Sequence, residues 1–71
     1  MARMTPEQLA RARRRLGLTL AQMASMLGYQ GKNLRQMAYD LESGRAAIRE
    51  PQRLLTEAYL AGYRPPDWPV E

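Results

Sequence analysis

The sequence predicts an all-α protein, with a compact domain of four helices over residues 1–62 and an irregular Pro/aromatic tail over 63–71. Three observations carry that expectation. Apolar residues recur at the i, i+3, i+4, i+7 spacing that lines one face of a helix. Proline or hydroxyl start signals and single glycines bracket the segments in which they recur. Nowhere do apolar and polar residues alternate as they do along a half-buried strand.

The first helix is predicted over Pro6–Leu16. Thr5 can cap its free amides, Pro6 suits the first helical position, and Gln8 can reach back as the capping-box partner. Met4 and Leu9 stand at the separation of a hydrophobic staple, Leu9, Ala12 and Leu16 share the inner face, and Gly17 ends the helix. Thr19 with Gln22 repeats the capping box, and Leu18 with Met23 repeats the staple. The second helix carries Leu20, Met23, Ala24 and Leu27 inward and stops at Gly28. Met26 lies off that stripe and is expected to be partly exposed. After a short connection through Tyr29, Gln30 and Gly31, a third helix places Leu34, Met37, Ala38 and Leu41 inward and ends at Gly44, a residue suited to a left-handed C-terminal cap. Pro51 opens a fourth helix with Leu54, Leu55, Ala58 and Tyr59, closed by Gly62. Three prolines keep the last nine residues out of regular structure. Trp68 has too large an apolar surface to leave in water, so the tail is expected to pack on its own helices or across a dimer interface.

A chain of 71 residues accommodates one domain and buries a modest share of its surface, so its stability rests on well-capped helices or on dimerisation. Cysteine and histidine are both absent, which removes disulfides, the usual zinc ligands and the commonest general base. An enzyme is therefore not expected. Ser25, Tyr39 and Tyr59 are conceivable nucleophiles, but no base stands at a suggestive spacing from them. No metal, cofactor or small-molecule ligand is indicated. The N-terminus does not resemble a signal peptide and no run of apolar residues is long enough to span a bilayer, so a cytoplasmic protein without a membrane partner is expected. Net charge is +4, and it divides unevenly between +6 over residues 1–49 and −2 over 50–71. A basic body with a mildly acidic end suits a polyanion on one face. The arginines at 11, 13, 14 and 15 are read as a solvated face rather than a nucleic-acid patch.

The second and third helices are the informative pair. A recognition helix enters the major groove only when a preceding helix braces it through a tight turn, which makes these two a candidate helix-turn-helix. Small Ala24 permits close approach and Gly28 lets the chain reverse. Met23, Leu27, Tyr29, Leu34 and Met37 are expected to form the seam.

The segments Leu16-Gly17-Leu18-Thr19, Met23-Ala24, Leu27-Gly28 and Leu41-Glu42-Ser43-Gly44-Arg45 resemble those of the XRE-type (lambda repressor/Cro-like) helix-turn-helix family. The resemblance extends from residue 5 to about residue 60. It implies a lambda-repressor-like four-helix domain that binds DNA, of the small stand-alone kind carried by phages and mobile elements. It also implies an ion pair between Arg13 and Glu42, and a phosphate contact from Arg45. The chain departs from the family at three points. Leu20 stands where a phosphate-contacting Gln is usual, and Gly31 replaces a residue that often touches DNA. The interval from Gly28 to Gly44 is about one helical turn longer than usual, through a longer third helix or a longer connection.

With the apolar stripe of the third helix inward, its outward residues are Lys32, Asn33, Arg35, Gln36 and Tyr39, preceded by Gln30. Arg and Lys donate to guanine O6 and N7, and Asn and Gln pair with adenine. Arg35 and Gln36 are the first candidates for base contacts, and Lys32 is also suited to a phosphate. Thr19 and Gln22, at the start of the second helix, are phosphate candidates because free amides and the helix dipole favour an anion there. Arg49 is a weaker one. The function expected is sequence-specific binding of double-stranded DNA, as a homodimeric and often autoregulatory repressor on an inverted repeat. The alternative is an antitoxin-like or adaptor module, whose acidic, aromatic end from Glu57 to Glu71 meets a protein partner.

Overall fold

The computed structural model describes residues 3–69, and those residues contain four α-helices and no strand. Met1, Ala2, Val70 and Glu71, at the outer ends of the expected domain and tail, lie outside the described residues. Helix α1 spans Pro6–Leu16, α2 Leu20–Met26, α3 Leu34–Ser43 and α4 Glu50–Leu60.

Local chemistry accounts for most of these boundaries. At α1, the Gln8 amide donates to Thr5 Oγ1 at 3.1 Å, and the Thr5 amide donates to Gln8 Oε1 at 2.9 Å. Thr19 and Gln22 make the same pair of bonds at 2.9 and 3.1 Å at the start of α2. Each box satisfies amides that the helix itself leaves unpaired. At the other end of α1, Gly17 adopts φ 73°, ψ 24°, and its amide closes the helix on Arg14 and Arg13 carbonyls. Gly44 ends α3 in the same left-handed backbone, at φ 86°.

Helix α3 packs chiefly against α2 and then against α1, and α4 packs against α1. The interior is built from Leu9, Leu18, Met23, Met26, Leu27, Leu41 and Tyr59. Met26, expected to be partly exposed, is buried. Tyr59 accounts for this, since its hydroxyl donates to the Met26 carbonyl at 2.6 Å and its ring belongs to the same core cluster. Burial holds the Tyr59 phenol above its ordinary pKa.

Helix α4 turns a different face inward from the one its leucines suggest. Leu54 is 53 % exposed, whereas Gln52, Thr56 and Tyr59 are buried and Leu55 is half-buried. Buried polar groups must be hydrogen-bonded, and both are. Gln52 donates its amide to the Tyr29 hydroxyl and accepts the Arg49 amide at 3.0 Å, and Thr56 donates to the Gln52 carbonyl at 2.8 Å. Those bonds hold Gln52 inward, and Leu54, two residues on, is carried round to the solvent side. Arg53 bridges Glu50 and Glu57 along the exposed side, and this holds the Glu50 carboxyl below its ordinary pKa.

Beyond α4 the chain folds back on itself without forming a further helix among the described residues. Trp68 meets Tyr59 edge-on at 5.1 Å between ring centroids, and the Arg64 guanidinium sits 4.3 Å over the Trp68 ring. Within the chain, Trp68 thus packs on Tyr59 of α4. No helix is long and apolar enough to cross a membrane among the described residues.

Candidate nucleic-acid interface

Helix α3 has two unlike faces. Ala38 and Leu41 are buried and Leu34 and Met37 half-buried, while Arg35, Gln36 and Tyr39 project to solvent. Positions 35, 36 and 39 lie on one face of a helix, so their side chains act as a group. Gln36 donates its amide to Asp40 Oδ1 at 2.9 Å. That bond, one helical turn along, uses one amide hydrogen and leaves the carbonyl oxygen and the second hydrogen free. An acceptor and a donor side by side are what adenine N6 and N7 require. The Arg35 guanidinium makes no ion pair among the described residues, so its fork of donors is unspent.

Arg35, Gln36 and Tyr39 meet Leu20, the first residue of α2, around a surface depression of about 240 Å³. Two helices thus contribute to one concave spot. Leu20, expected on the inner face of the second helix, is half-buried and lines the depression; nothing local in the sequence relates it to α3. The Gln36–Asp40 bond also went unread, although i, i+4 spacing is the signal that reveals such a pair.

Lys32 and Asn33 require correction. They were expected on the outward side of the third helix, but α3 begins at Leu34, so both precede it. Gly28 at φ 97° and Gly31 at φ 112° take the chain through left-handed backbone that a helix does not use. The interval from Gly28 to Gly44 thus divides between a connection that ends at Asn33 and an α3 of ten residues. Gln30 and Lys32 sit exposed in that connection. Asn33 directly precedes α3 at φ −105°, ψ 34°, and its side chain makes no capping bond, which leaves its amide uncommitted.

The phosphate candidates fall into two groups. Thr19 and Gln22 commit their oxygens to each other's backbone amides, leaving the Thr19 hydroxyl hydrogen and the Gln22 amide hydrogens to donate outward. Thr19 directly precedes Leu20, but neither Thr19 nor Gln22 lines the depression. Arg45 and Arg49 are exposed in the segment between α3 and α4, past the end of α3 that is remote from Lys32. The two ends of α3 are about 15 Å apart, at 1.5 Å per residue.

Arg13 Nε donates to Glu42 Oε2 at 2.7 Å, and Arg13 also donates to the Leu18 carbonyl at 3.1 Å. The two side chains are 18 % and 11 % exposed, so this pair ties α1 to α3 in a largely dry setting.

A second, larger groove of about 400 Å³ runs between α1 and α4. Met4, Ala12 and Leu60 contribute its apolar surface, and Gln8, Arg11, Arg15 and Glu57 its polar one. Comparison with protein-family models, with curated proteins and with solved structures finds no match to the chain.

Proposed function

We propose that the chain binds duplex DNA as an XRE-type helix-turn-helix protein, with α2 bracing α3 and α3 laid in the major groove. In this reading it is a cytoplasmic homodimeric repressor that occupies an inverted-repeat operator. The observation that supports it most is the pairing of opposite faces on α3. One face is packed into the protein, and the other offers Arg35, Gln36 and Tyr39 together with Leu20 from α2. The excess of positive charge over residues 1–49 adds attraction for phosphate. Base reading falls to Arg35, Gln36 and Tyr39, with Gln30, Lys32 and Asn33 approaching from the connection. Thr19, Gln22, Arg45 and Arg49 serve as backbone anchors.

The test is selection from a duplex pool with about 40 random base pairs, long enough for half-sites two helical turns apart, followed by fluorescence anisotropy on the enriched duplex. Two half-sites about 10 bp apart, or a multiple of that, are expected, with affinity falling steeply as salt rises. Joint substitution Arg35→Ala and Gln36→Ala should reduce binding to the non-specific level, a loss on the order of 10³-fold, without changing helix content. If the double variant holds the selected duplex normally, the reading face is elsewhere. Failure to enrich any duplex removes the proposal altogether.

A second reading, as a protein-interaction module, is favoured by the groove between α1 and α4 and by exposed Leu60 and Tyr63 beside it in sequence. Its signature is a stoichiometric protein partner together with no duplex binding at low salt.

A further inference from the structure

We infer that the depression lined by Leu20, Arg35, Gln36 and Tyr39 is a subsite for the C5-methyl group of thymine, so that one A·T pair is read from both of its bases. The inference rests on the DNA-binding reading above and names what the site takes.

Leu20 is the starting point. It is the first residue of α2, and the Thr19–Gln22 capping box fixes the backbone around it. Its side chain belongs neither to the buried core nor to the half-buried residues packed against that core. Leu20 is half-buried, and the part of its side chain left open lines the depression, where it is available to an external apolar group. It carries no donor, so it cannot take the phosphate contact usual for the family's Gln at this position. Tyr39, 50 % exposed, supplies a second apolar wall across the depression.

The polar side of the depression narrows the choice of ligand. Gln36, oriented by Asp40, presents an acceptor and a donor. Arg35 presents a free guanidinium. In the major groove adenine shows N7 and its N6 amino group, while the thymine paired with it shows O4 and the C5-methyl. A glutamine on the adenine therefore brings the methyl of the same base pair into the groove beside it. Cytosine and guanine offer no apolar group in the major groove, so Leu20 and Tyr39 gain nothing from a G·C pair. Arg35 then addresses the guanine of a neighbouring pair.

The duplex enriched from the random pool provides the probe. Each dT within the site is replaced in turn by dU, which removes one methyl and leaves every base-pairing and groove hydrogen-bonding atom in place. One position per half-site should weaken binding about four-fold, the effect of one methyl leaving apolar contact. Leu20→Ala, checked for helix content by circular dichroism, should bind the dT duplex about as weakly as the unaltered chain binds a duplex with dU at that position in both half-sites, and Leu20→Gln should lose the same dT preference even if its new donor adds a contact elsewhere. Neither variant should distinguish dT from dU at that position.

The subsite is overturned if no dU position matters to the unaltered chain, or if both variants keep the full dT preference. A duplex bound equally well with dT and dU removes the subsite and leaves the DNA-binding reading standing. An unenriched pool removes both.

Discussion

The two ends of α3 are built on opposite principles. At its C-terminal end Glu42 is tied to Arg13, Gly44 closes the helix in left-handed backbone, and the Ala46 amide returns to the Asp40 carbonyl at 3.1 Å. At its N-terminal end Asn33 makes no cap, Gly28 and Gly31 swing the chain through positive φ, and Gln30, Lys32 and Arg35 extend into solvent. One end spends its polar groups on the protein and the other keeps them unspent. A helix anchored at one end only can hold a rigid axis and still offer unsatisfied donors to a partner. That combination is what a groove-reading element requires, since order and available hydrogen-bonding capacity must coexist within ten residues.

The contrast can be broken most severely at the anchored end. Glu42→Ala strands the Arg13 guanidinium in a largely dry site, and urea unfolding should register a loss of about 3 kcal/mol. A change under 1 kcal/mol would mean that the pair does not anchor α3. The capped and uncapped helix starts offer a finer comparison. Thr19→Ala should destabilise by about 1 kcal/mol because a real capping bond is lost, whereas Asn33→Ala should change stability by no more than a few tenths. Equal losses in thermal melts would show that Asn33 caps α3 in solution. The smallest effect belongs to Asp40→Ala. It should leave the melting temperature nearly unchanged and weaken specific duplex binding a few-fold, because Gln36 must then be ordered on binding at an entropic cost of about 1 kcal/mol. Undiminished affinity would sever Asp40 from the reading face.

Much of the fold was legible because helix ends are local events. Thr5, Gln8, Thr19 and Gln22 announce their boxes within four residues, and Gly17 and Gly44 mark stops that need no distant partner. What escaped depends on partners far away in sequence. Leu54 points outward because Gln52 is drawn inward to Tyr29, and Met26 is covered because Tyr59 reaches its carbonyl. The start of α3 was misplaced for a different reason. Gly31 marks the connection, but Lys32 and Asn33 after it fit a helical register as well as they fit a loop, so nothing local fixes where the helix begins. At the candidate site the residue types on α3 were readable from the period alone. Leu20 was not, because its place beside Arg35 and Tyr39 depends on how two helices pack.

Trp68 is the sole tryptophan of the chain, and its ring is wedged between Tyr59 and the Arg64 guanidinium. Nature has thereby installed one fluorophore at the junction between α4 and the tail. Its emission reports whether the last turn of chain is seated, while far-ultraviolet ellipticity reports the helices. The two signals diverge only if the tail lifts before the domain melts. Release of the closing segment is thus separable, by two optical signals from one sample, from loss of the whole.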